Sequence, residues 1–394
     1  MSASWHSSMP ADSKNLLEQS SRCVACGLCV PQCPTYRKTL SEADSPRGRI
    51  LMMEGVLQGK IPANARLRQH LDLCLTCRQC ERVCPNHVRY GELVYQMRAR
   101  IRKPLFRRLI EKSVLFMVKH TRLLCLALWF GSRSRFFWAK LPFFRRFAAY
   151  RPPIEFSSFD SFYPAIQPKA EVMLFLGCIA RAADVQTLKS TIALLQTHGF
   201  SVYVPSAQRC CGALHRHLGD AKGAKKLGLQ NIAAFPGHLP ILTVASGCAA
   251  NLLDYETFLG TPEAAQFAHR IHDAFDYLLP YLEPWRDQKK VAYHLPCTMQ
   301  NVLRIDPFAS FFKGIKPLEG NDQCCGGAGS YMIAEPEMAN RLLDDKIASI
   351  RQSGAEVVLT ANIGCMLHLQ KGIEKAGLPT RLLHPLVFLD QNTR

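Results

Sequence analysis

A hydrophobic leader is missing from this sequence, and acidic residues are scarce in it. Residues 1–21 are polar and carry Asp12, Lys14 and Glu18, so we expect no secretory signal and a cytoplasmic protein. The 31 Asp and Glu residues face 49 Lys and Arg residues, which gives a formal charge of +18. No Gly-x-Gly-x-x-Gly fingerprint follows an apolar run, so no FAD or NAD site is predicted on this chain.

Cysteine, by contrast, is abundant. The 394 residues are 48% hydrophobic and 20% charged, which is typical of a folded protein with about two or three domains. Seventeen are Cys, and without an export signal they are better interpreted as metal ligands or redox thiols than as a disulfide framework. Eight lie in residues 23–84, eight lie in residues 178–365, and Cys125 stands apart.

The first eight cysteines form two copies of the spacing C-x2-C-x2-C-x3-C-P, at residues 23–34 and 74–85. Two-cluster bacterial ferredoxins have this spacing, and in them the fourth cysteine of each run binds the other cluster. A pair of zinc sites is the alternative, but four-ligand zinc sites do not explain two such runs. We therefore assign one [4Fe–4S] cluster to Cys23, Cys26, Cys29 and Cys84, and a second to Cys74, Cys77, Cys80 and Cys33.

Apolar residues at helical spacing lie between the two motifs, in residues 50–57 and 67–73. They predict an all-helical two-cluster ferredoxin domain over residues 1–100. Arg47 and Arg49 precede the first of these helices. For them, a solvated position is at least as plausible as one beside a cluster or a partner.

The C-terminal half repeats a second cysteine pattern with a period of 114–119 residues. Apolar runs that read as buried strands (172–177, 241–244, 291–296 and 357–360) alternate with helical stretches such as 187–198 and 339–353. This alternation predicts parallel α/β sheets with the cysteines on loops at the carboxyl ends of strands. The repeated residues are Cys178, Cys210, Cys211 and Cys248, followed by Cys297, Cys324, Cys325 and Cys365.

The predicted fold is therefore an α+β multidomain chain. The helical ferredoxin domain (1–100) is followed by a linker (101–168) and by two duplicated α/β cysteine-rich domains (169–285 and 286–394). In each repeat four thiols converge from three loops and could bind a further iron–sulfur centre, although buried structural cysteines or a redox-active disulfide are alternatives. Nearby histidines are more often hydrogen-bonded polar residues than ligands; they are His215, His217, His294 and His368, the last in a Cys365-x-x-His368 pair.

Residues 101–151 form a basic and aromatic segment, with 13 Lys and Arg against one acidic residue, Glu111. The longest apolar run there, Leu123–Gly131, has nine residues, whereas a spanning helix needs about 20. Basic amphipathic helices bind membrane interfaces, and we favour this interpretation over docking on a partner subunit. No nucleic acid partner is expected, because the charge is local and no recognition motif accompanies it.

With these motifs the chain resembles the iron–sulfur subunits of bacterial glycolate oxidase, within a wider group that carries Cys-Cys-Gly domains. Heterodisulfide reductases of that group often end a repeat in Cys-x-x-Cys, whereas the repeats here end in Cys248-Ala249-Ala250-Asn251 and Cys365-Met366-Leu367-His368. The shared strings cover most of the chain. Besides the ferredoxin motif at 23–34 they are Pro46–Arg49, His70–Arg78, Cys210–Ala213, Ala245–Cys248, Pro296–Thr298, Cys324–Gly326 and Thr360–Cys365.

The resemblance implies an iron–sulfur electron-transfer subunit of a flavin-dependent 2-hydroxyacid (glycolate) dehydrogenase or oxidase. Flavin-binding partner subunits carrying FAD would oxidise glycolate or a related acid such as D-lactate. This chain would pass the electrons towards quinone from a peripheral position on the inner face of the cytoplasmic membrane, and the isolated chain would have no catalytic residue. The alternatives are the iron–sulfur subunit of anaerobic glycerol-3-phosphate dehydrogenase, of D-lactate dehydrogenase, or a thiol or heterodisulfide reductase.

Overall fold

The N-terminal part of the chain is helical in the computed structural model, which describes residues 11–120, 123–126, 155, 157–285 and 290–392. Among the described residues up to 120 there is no strand. The helices are α1 (Ala11–Ser21), α2 (Pro34–Thr39), α3 (Pro46–Leu57), α4 (Ala65–Asp72), α5 (Gln79–Arg82), α6 (Tyr90–Arg100) and α7 (Leu105–Lys119), with a 3-10 turn at Glu42–Asp44.

Local capping explains where the two helices between the ferredoxin motifs begin. Pro46 occupies the first turn of α3, and the Ser45 hydroxyl accepts a hydrogen bond from the Gly48 amide at 3.0 Å. The Asn64 side chain accepts one from the Leu67 amide at 3.0 Å at the start of α4. Such caps satisfy amides that have no partner within the helix. The caps thereby fix where α3 and α4 begin between the two cysteine loops.

The first cysteine-rich region contains a five-stranded sheet in the order β1-β3-β2-β4-β5. Strands β2 to β5 pair in parallel, but β1 pairs with β3 antiparallel, so the prediction of parallel strands is wrong at this edge. The short β1 lies near the end of the predicted linker, and no helix separates it from β2, so it has no crossover helix of the kind that parallel strands need. The strands are β1 (Phe162–Tyr163), β2 (Ala170–Phe175), β3 (Phe200–Tyr203), β4 (Ile241–Thr243) and β5 (Ile271–Asp273).

The second cysteine-rich region contains a four-stranded parallel sheet in the order β7-β6-β8-β9. This order matches the first sheet strand for strand once β1 is set aside. The strands are β6 (Val291–Tyr293), β7 (Lys316–Pro317), β8 (Val357–Leu359) and β9 (Arg381–Leu383). In both sheets the cysteines follow the carboxyl ends of the first three parallel strands, where ligands of open α/β sheets bind.

Helices cover both sheets. In the first region they are α8 (Ile179–Ala183), α9 (Val185–Thr197), α10 (Ala213–His217), α11 (Ala221–Ala234), α12 (Ser246–Leu253), α13 (Tyr255–Leu259), α14 (Pro262–His269) and α15 (Ala274–Leu278), with a 3-10 turn at Leu279–Tyr281. In the second region they are a π-helical turn (Met299–Leu303), α16 (Pro307–Phe311), α17 (Tyr331–Ala334), α18 (Pro336–Ser353), α19 (Ile363–Lys375) and α20 (Pro385–Asn392).

A single hydrophobic core joins the two sheets. It includes Leu242 of the first sheet and Leu359 of the second, both fully buried. Phe275, which follows β5, makes edge contact with Phe308 of the second region at a centroid distance of 5.5 Å, and the Phe308 ring stacks on Tyr293 at 4.9 Å. The two regions are therefore packed into one body, with fixed positions of their cysteine loops.

The predicted linker is described only in part. Helix α7 and residues 123–126 belong to it, whereas residues 121–122, 127–154 and 156, and with them most of the basic aromatic segment, lie outside the described residues. Arg107 ties α7 to α4 through an ion pair with Asp72 at 2.8 Å. Among the described residues, no helix combines the length and apolarity that crossing a membrane requires.

A buried charge network connects the helical N-terminal part with the first sheet. The Arg216 guanidinium pairs with Glu92 at 2.6 Å and with Asp254 at 2.8 Å. Asp254 also accepts a hydrogen bond from Arg78 at 2.9 Å. The guanidinium carbon of Arg216 lies 4.3 Å from the centroid of the Tyr95 ring. The network holds the second cysteine loop of the N-terminal part against the first cysteine-rich region.

The Arg216→Ala substitution should therefore lower the free energy of unfolding by about 3 kcal/mol, because it leaves the half-buried Glu92 without its cation and Asp254 with Arg78 alone. The measurement is anaerobic denaturant unfolding of the metal-loaded protein. Arg66→Ala, on the exposed side of α4, is the control and should change this free energy by about 0.5 kcal/mol or less. An equal effect of the two substitutions would contradict the proposed importance of the network.

Candidate metal centres

The first set of ferredoxin cysteines converges on one pocket. Cys23, Cys26, Cys29 and Cys84 line it, although Cys84 lies 55 residues after Cys29 in the sequence, and Cys80 also reaches it. The pocket is on the surface, and the Cys26 side chain is exposed. Burial raises the pKa of Cys29 to about 11. A thiol of this kind stays protonated until a metal replaces the proton.

The second set converges in the same way, on a buried pocket. It is lined by Cys33, Cys74, Cys77 and Cys80, together with Arg49 and Tyr90. Burial raises the pKa of Cys80 well above its ordinary value. Each pocket thus contains three cysteines of one motif and the fourth cysteine of the other, while Cys80 borders both pockets.

The backbone of the two loops supports this fit to a cluster. Ala25 and Gly27 in the first loop have positive φ angles of 53° and 87°, and the equivalent Thr76 and Arg78 in the second have 51° and 60°. A residue other than glycine with a positive φ angle costs roughly 1–2 kcal/mol of conformational free energy. Two loops with unrelated residues at these positions share the same unfavourable conformation, as expected if both must surround the same kind of metal centre.

Two residues that line the second pocket, Arg49 and Tyr90, belong to neither cysteine motif. Arg49 is fully buried, and its guanidinium donates to the His70 carbonyl at 2.7 Å and lies 3.9 Å from Cys33 Sγ. The Tyr90 hydroxyl donates to Cys74 Sγ at 3.6 Å. The sequence did not decide whether Arg49 lies in solvent or beside a cluster. In the structure it lines the second pocket. The adjacent residue has to be a glycine, because a Cβ at Gly48 would lie 2.0 Å from the Glu42 carbonyl oxygen.

The other arginine of this string contacts the first loop. Arg47 pairs with Glu42 at 2.6 Å, and its guanidinium donates to the Ala25 carbonyl at 3.2 Å. A Cβ added to Gly27 would lie 2.9 Å from this guanidinium. One short string therefore supplies an arginine to each of the two four-cysteine pockets.

The thiols of the first repeat are buried or half-buried together. Cys178 Sγ lies 3.4 Å from Cys210 Sγ. The backbone of the cysteine pair is held in place, since the Cys211 carbonyl accepts hydrogen bonds from Asn251 at 2.6 Å and Tyr255 at 2.8 Å. Hydrogen bonds with Cys178 and Cys211 lower the pKa of Cys210. Cys248 completes the set, and contacts with Cys210 and Cys248 raise the pKa of Cys211.

The second repeat gathers its thiols with the same backbone turn. Gly326 has a φ of 88°, against 87° for Gly212 of the first repeat. Cys297 Sγ lies 3.7 Å from Cys324 Sγ. Hydrogen bonds with Cys324 and Cys365 lower the pKa of Cys325. Cys325 and Cys365 also lie close to His294, with one ligand atom of each residue within 4.8 Å of the other two.

The second ferredoxin pocket lies against the second repeat. Cys77 and Cys297 belong to one hydrophobic cluster, together with Cys324 and Tyr331. The Asn301 side chain donates to the Cys77 carbonyl at 2.9 Å, and the Tyr331 hydroxyl donates to the Leu73 carbonyl at 2.9 Å. The two groups of cysteines are therefore neighbours in the interior of the molecule.

The histidines near the cysteine loops have different roles. His215 contacts Asp220 at 2.8 Å, and His217 contacts the Thr76 hydroxyl at 3.0 Å, with its pKa lowered to about 3 by burial and by Arg98 and Arg216. His368, which has ligand spacing from Cys365, is instead hydrogen-bonded to the Ala339 carbonyl at 3.2 Å. His294 is the histidine that the structure brings to the thiols. Cys125, outside both patterns, is buried beside Leu124 and Ala182.

Comparisons with known proteins give the class of the chain. Residues 19–88 match the 4Fe-4S dicluster domain. Residues 172–253 and 291–370 each match the cysteine-rich domain. A hypothetical protein from Helicobacter pylori shares the fold alone, with a TM-score of 0.53 and 10% identity over 98% of this chain and 73% of that one. The protein is thus an iron–sulfur protein with a dicluster domain and two cysteine-rich domains.

Within this class the chain belongs to the family of glycolate oxidase iron–sulfur subunits, which confirms the resemblance drawn from its motifs. It is 34% identical to the probable glycolate oxidase iron-sulfur subunit of Bacillus subtilis, over 90% of this chain and 89% of the relative. The glycolate oxidase iron-sulfur subunit of Escherichia coli is 30% identical over 88% of this chain and 89% of its own length. Lactate utilization protein A of Shouchella clausii is 29% identical over 54% of this chain and 95% of its own length.

The buried cation at the second pocket generates a prediction. Arg49→Met should make the reduction potential of the second cluster more negative, by at most about 3 kcal/mol per electron, because a nearby cation favours the reduced, more negative cluster. Arg49→Lys keeps the charge and should restore most of the potential. The measurement is a redox titration followed by EPR, on protein whose iron content equals that of the wild type. A potential unchanged in Arg49→Met would show that this guanidinium does not act on the cluster.

Proposed function

We propose that this chain is the iron–sulfur electron-transfer subunit of a flavin-dependent 2-hydroxyacid oxidase. The observation that carries the proposal is the contact between the second four-cysteine pocket and the cysteines of the second repeat, at Cys77 and Cys297. Iron–sulfur clusters transfer single electrons, and neighbouring centres form a route for them. Relatives named for glycolate and for lactate support a 2-hydroxy acid as the substrate of the complex.

Four centres are part of this proposal, each with four cysteines. Two are the [4Fe–4S] clusters of a helical domain at residues 1–100, bound as the sequence assigns them. Two further iron–sulfur centres are placed in duplicated α/β domains at residues 169–285 and 286–394. The proposed ligands there are Cys178, Cys210, Cys211 and Cys248 in the first repeat, and Cys297, Cys324, Cys325 and Cys365 in the second.

The reaction itself is assigned to partner subunits. Flavin-binding subunits with FAD would oxidise the hydroxy acid, and this cytoplasmic chain would accept the electrons one at a time and pass them towards quinone. The exposed first pocket around Cys26 is accessible to a partner, whereas the second pocket is buried. Electrons therefore enter at the first pocket, cross the second and continue to the repeats.

Iron and acid-labile sulfide in anaerobically purified protein test this proposal. About 12–16 irons per chain are expected, whereas about eight would confine the clusters to the ferredoxin cysteines. In the Cys325→Ser variant the iron content should fall by one centre, while Cys125→Ser, which alters the cysteine outside both patterns, should leave it unchanged. Zinc with little iron would contradict the proposal. So would turnover of a disulfide by the isolated chain, which would indicate a thiol reductase.

Helix α7 supports a peripheral position at the membrane. Its apolar side chains Leu105, Phe106, Leu109 and Phe116 are 71%, 74%, 54% and 55% exposed. The exposed cations Arg108, Lys112 and Lys119 lie on the same helix. An apolar face flanked by cations fits the interface of a bilayer with anionic lipids, where rings and leucines enter the acyl boundary and cations meet headgroups.

The opposite face of α7 covers the first repeat. Val118 is buried in one cluster with Cys178 and Cys210, and Val114 packs against that cluster. A membrane bound to the exposed face would therefore lie one helix diameter, about 10–12 Å, from the first-repeat thiols. This arrangement suits electron exit to quinone from the first repeat.

Binding to phospholipid vesicles checks the role of α7. The wild-type chain should sediment with vesicles that contain phosphatidylglycerol and much less with pure phosphatidylcholine. The double substitution Leu109→Glu/Phe116→Glu should weaken this binding at least about tenfold, since two apolar side chains no longer enter the interface. Ile166→Glu, at a site 73% exposed outside α7, is the control. Equal binding of the double variant and the control would contradict membrane docking through α7.

A further inference from the structure

His294 is buried beside the cysteines of the second repeat. Its side chain has no exposed surface, and within the described part of the chain its imidazole interacts with the Cys325 thiol but makes no hydrogen bond to an oxygen or nitrogen atom. Other buried histidines in the described part of the chain do pair: His384 with the Val244 carbonyl at 3.0 Å and His368 with the Ala339 carbonyl at 3.2 Å. A buried polar group costs free energy unless it is paired, and the only pairing of His294 among the described residues is with a cysteine thiol, which is itself a metal ligand.

The backbone directs this imidazole to the thiols of the second repeat. The His294 amide donates to the Leu359 carbonyl at 2.9 Å, which continues the pairing of β6 with β8. The next amide, that of Leu295, donates to the Asn321 side chain at 2.8 Å. His294 is thus fixed at the carboxyl end of β6, on the same edge of the sheet as the cysteine loops.

The distances suit a single metal atom. One ligand atom from each of His294, Cys325 and Cys365 lies within 4.8 Å of the other two. For a tetrahedral metal with bonds of 2.0–2.3 Å to nitrogen and sulfur, ligand atoms are roughly 3.5–3.8 Å apart. A movement of an ångström or less in the side chains would close the site around a metal. Cys297 and Cys324 remain beside it for the rest of a cluster.

The first repeat lacks this ligand. Aligned on Cys178 and Cys297, the position of His294 is occupied by Phe175. Phe175 has no exposed surface and packs against Phe235 at a centroid distance of 5.9 Å. Its ring cannot bind a metal, so the two repeats offer different donor sets although their cysteines correspond.

We infer that the second cysteine-rich region holds an iron–sulfur centre in which His294 binds one iron together with Cys325 and Cys365, while the first repeat has no ligand at the corresponding position. The inference rests on the proposed function, because it assumes a cluster in the second repeat. His294 would add a neutral nitrogen ligand to the four cysteines of this centre, and the first repeat has phenylalanine at the corresponding position.

Pulsed EPR on the reduced, full-length protein labelled with ¹⁵N-histidine tests the inference. The wild type should show strong hyperfine coupling between a cluster and a histidine nitrogen. His294→Ala should abolish that coupling. The control is His384→Gln, which replaces another buried histidine and should keep the coupling. His294→Cys should retain the iron of the wild type and lower the reduction potential of one centre, because it substitutes a thiolate ligand for the imidazole.

Two results would overturn the assignment of His294. One is the absence of histidine coupling in wild-type protein with a full complement of iron, and the other is coupling that survives in His294→Ala. In both cases two ferredoxin clusters that still reduce and reoxidise would leave the electron-transfer function standing. Protein that lacks the ferredoxin clusters altogether would instead count against the proposed function.

Discussion

The structure depends on bringing thiols together in the interior, where they are stable as ligands only around a metal. Buried thiolates are poorly solvated and repel one another, and burial accordingly raises the pKa of Cys29 and of Cys80. A metal removes both penalties, so folding and metal binding are coupled. The unfavourable backbone angles of Thr76 and Arg78 and the buried cation of Arg49 are consistent with this coupling, since each acts on the position or charge of a cysteine.

The loop of the second ferredoxin motif contacts three other parts of the chain. It contacts the first repeat through Thr76 and His217, and the second repeat through Cys77 and Asn301. Arg98 of α6 also holds this loop in place, since its guanidinium donates a hydrogen bond to the Cys74 carbonyl at 2.6 Å. A loop held on three sides reorganises little when charge changes, which suits electron transfer better than a mobile loop does. The two repeats therefore serve as a rigid frame for this loop as well as sources of thiols.

Local spacing was enough to group the ferredoxin cysteines, because three proposed ligands of each cluster come from seven consecutive residues. The position of the repeat cysteines at strand ends also followed from local patterns, since loops after parallel strands share one edge. Long-range packing was not predictable in this way. Nothing local distinguishes Arg49, buried at a pocket, from a surface arginine, and ligand spacing favoured His368 when the fold places His294 at the thiols. The antiparallel β1 likewise depends on where the linker enters the sheet.

The two repeats, alike in strand order, lie in different surroundings. Cys178 and Cys210 of the first lie beneath α7, whose outer face is apolar and basic. Cys297 and Cys324 of the second lie beside the ferredoxin pocket and near a histidine. Identical surroundings would keep two duplicated centres at similar reduction potentials. The two repeats instead differ in the groups beside their cysteines. The divergence of Phe175 and His294 fits the proposed roles of the repeats, in which the second would accept electrons from the interior and the first would pass them on at the surface.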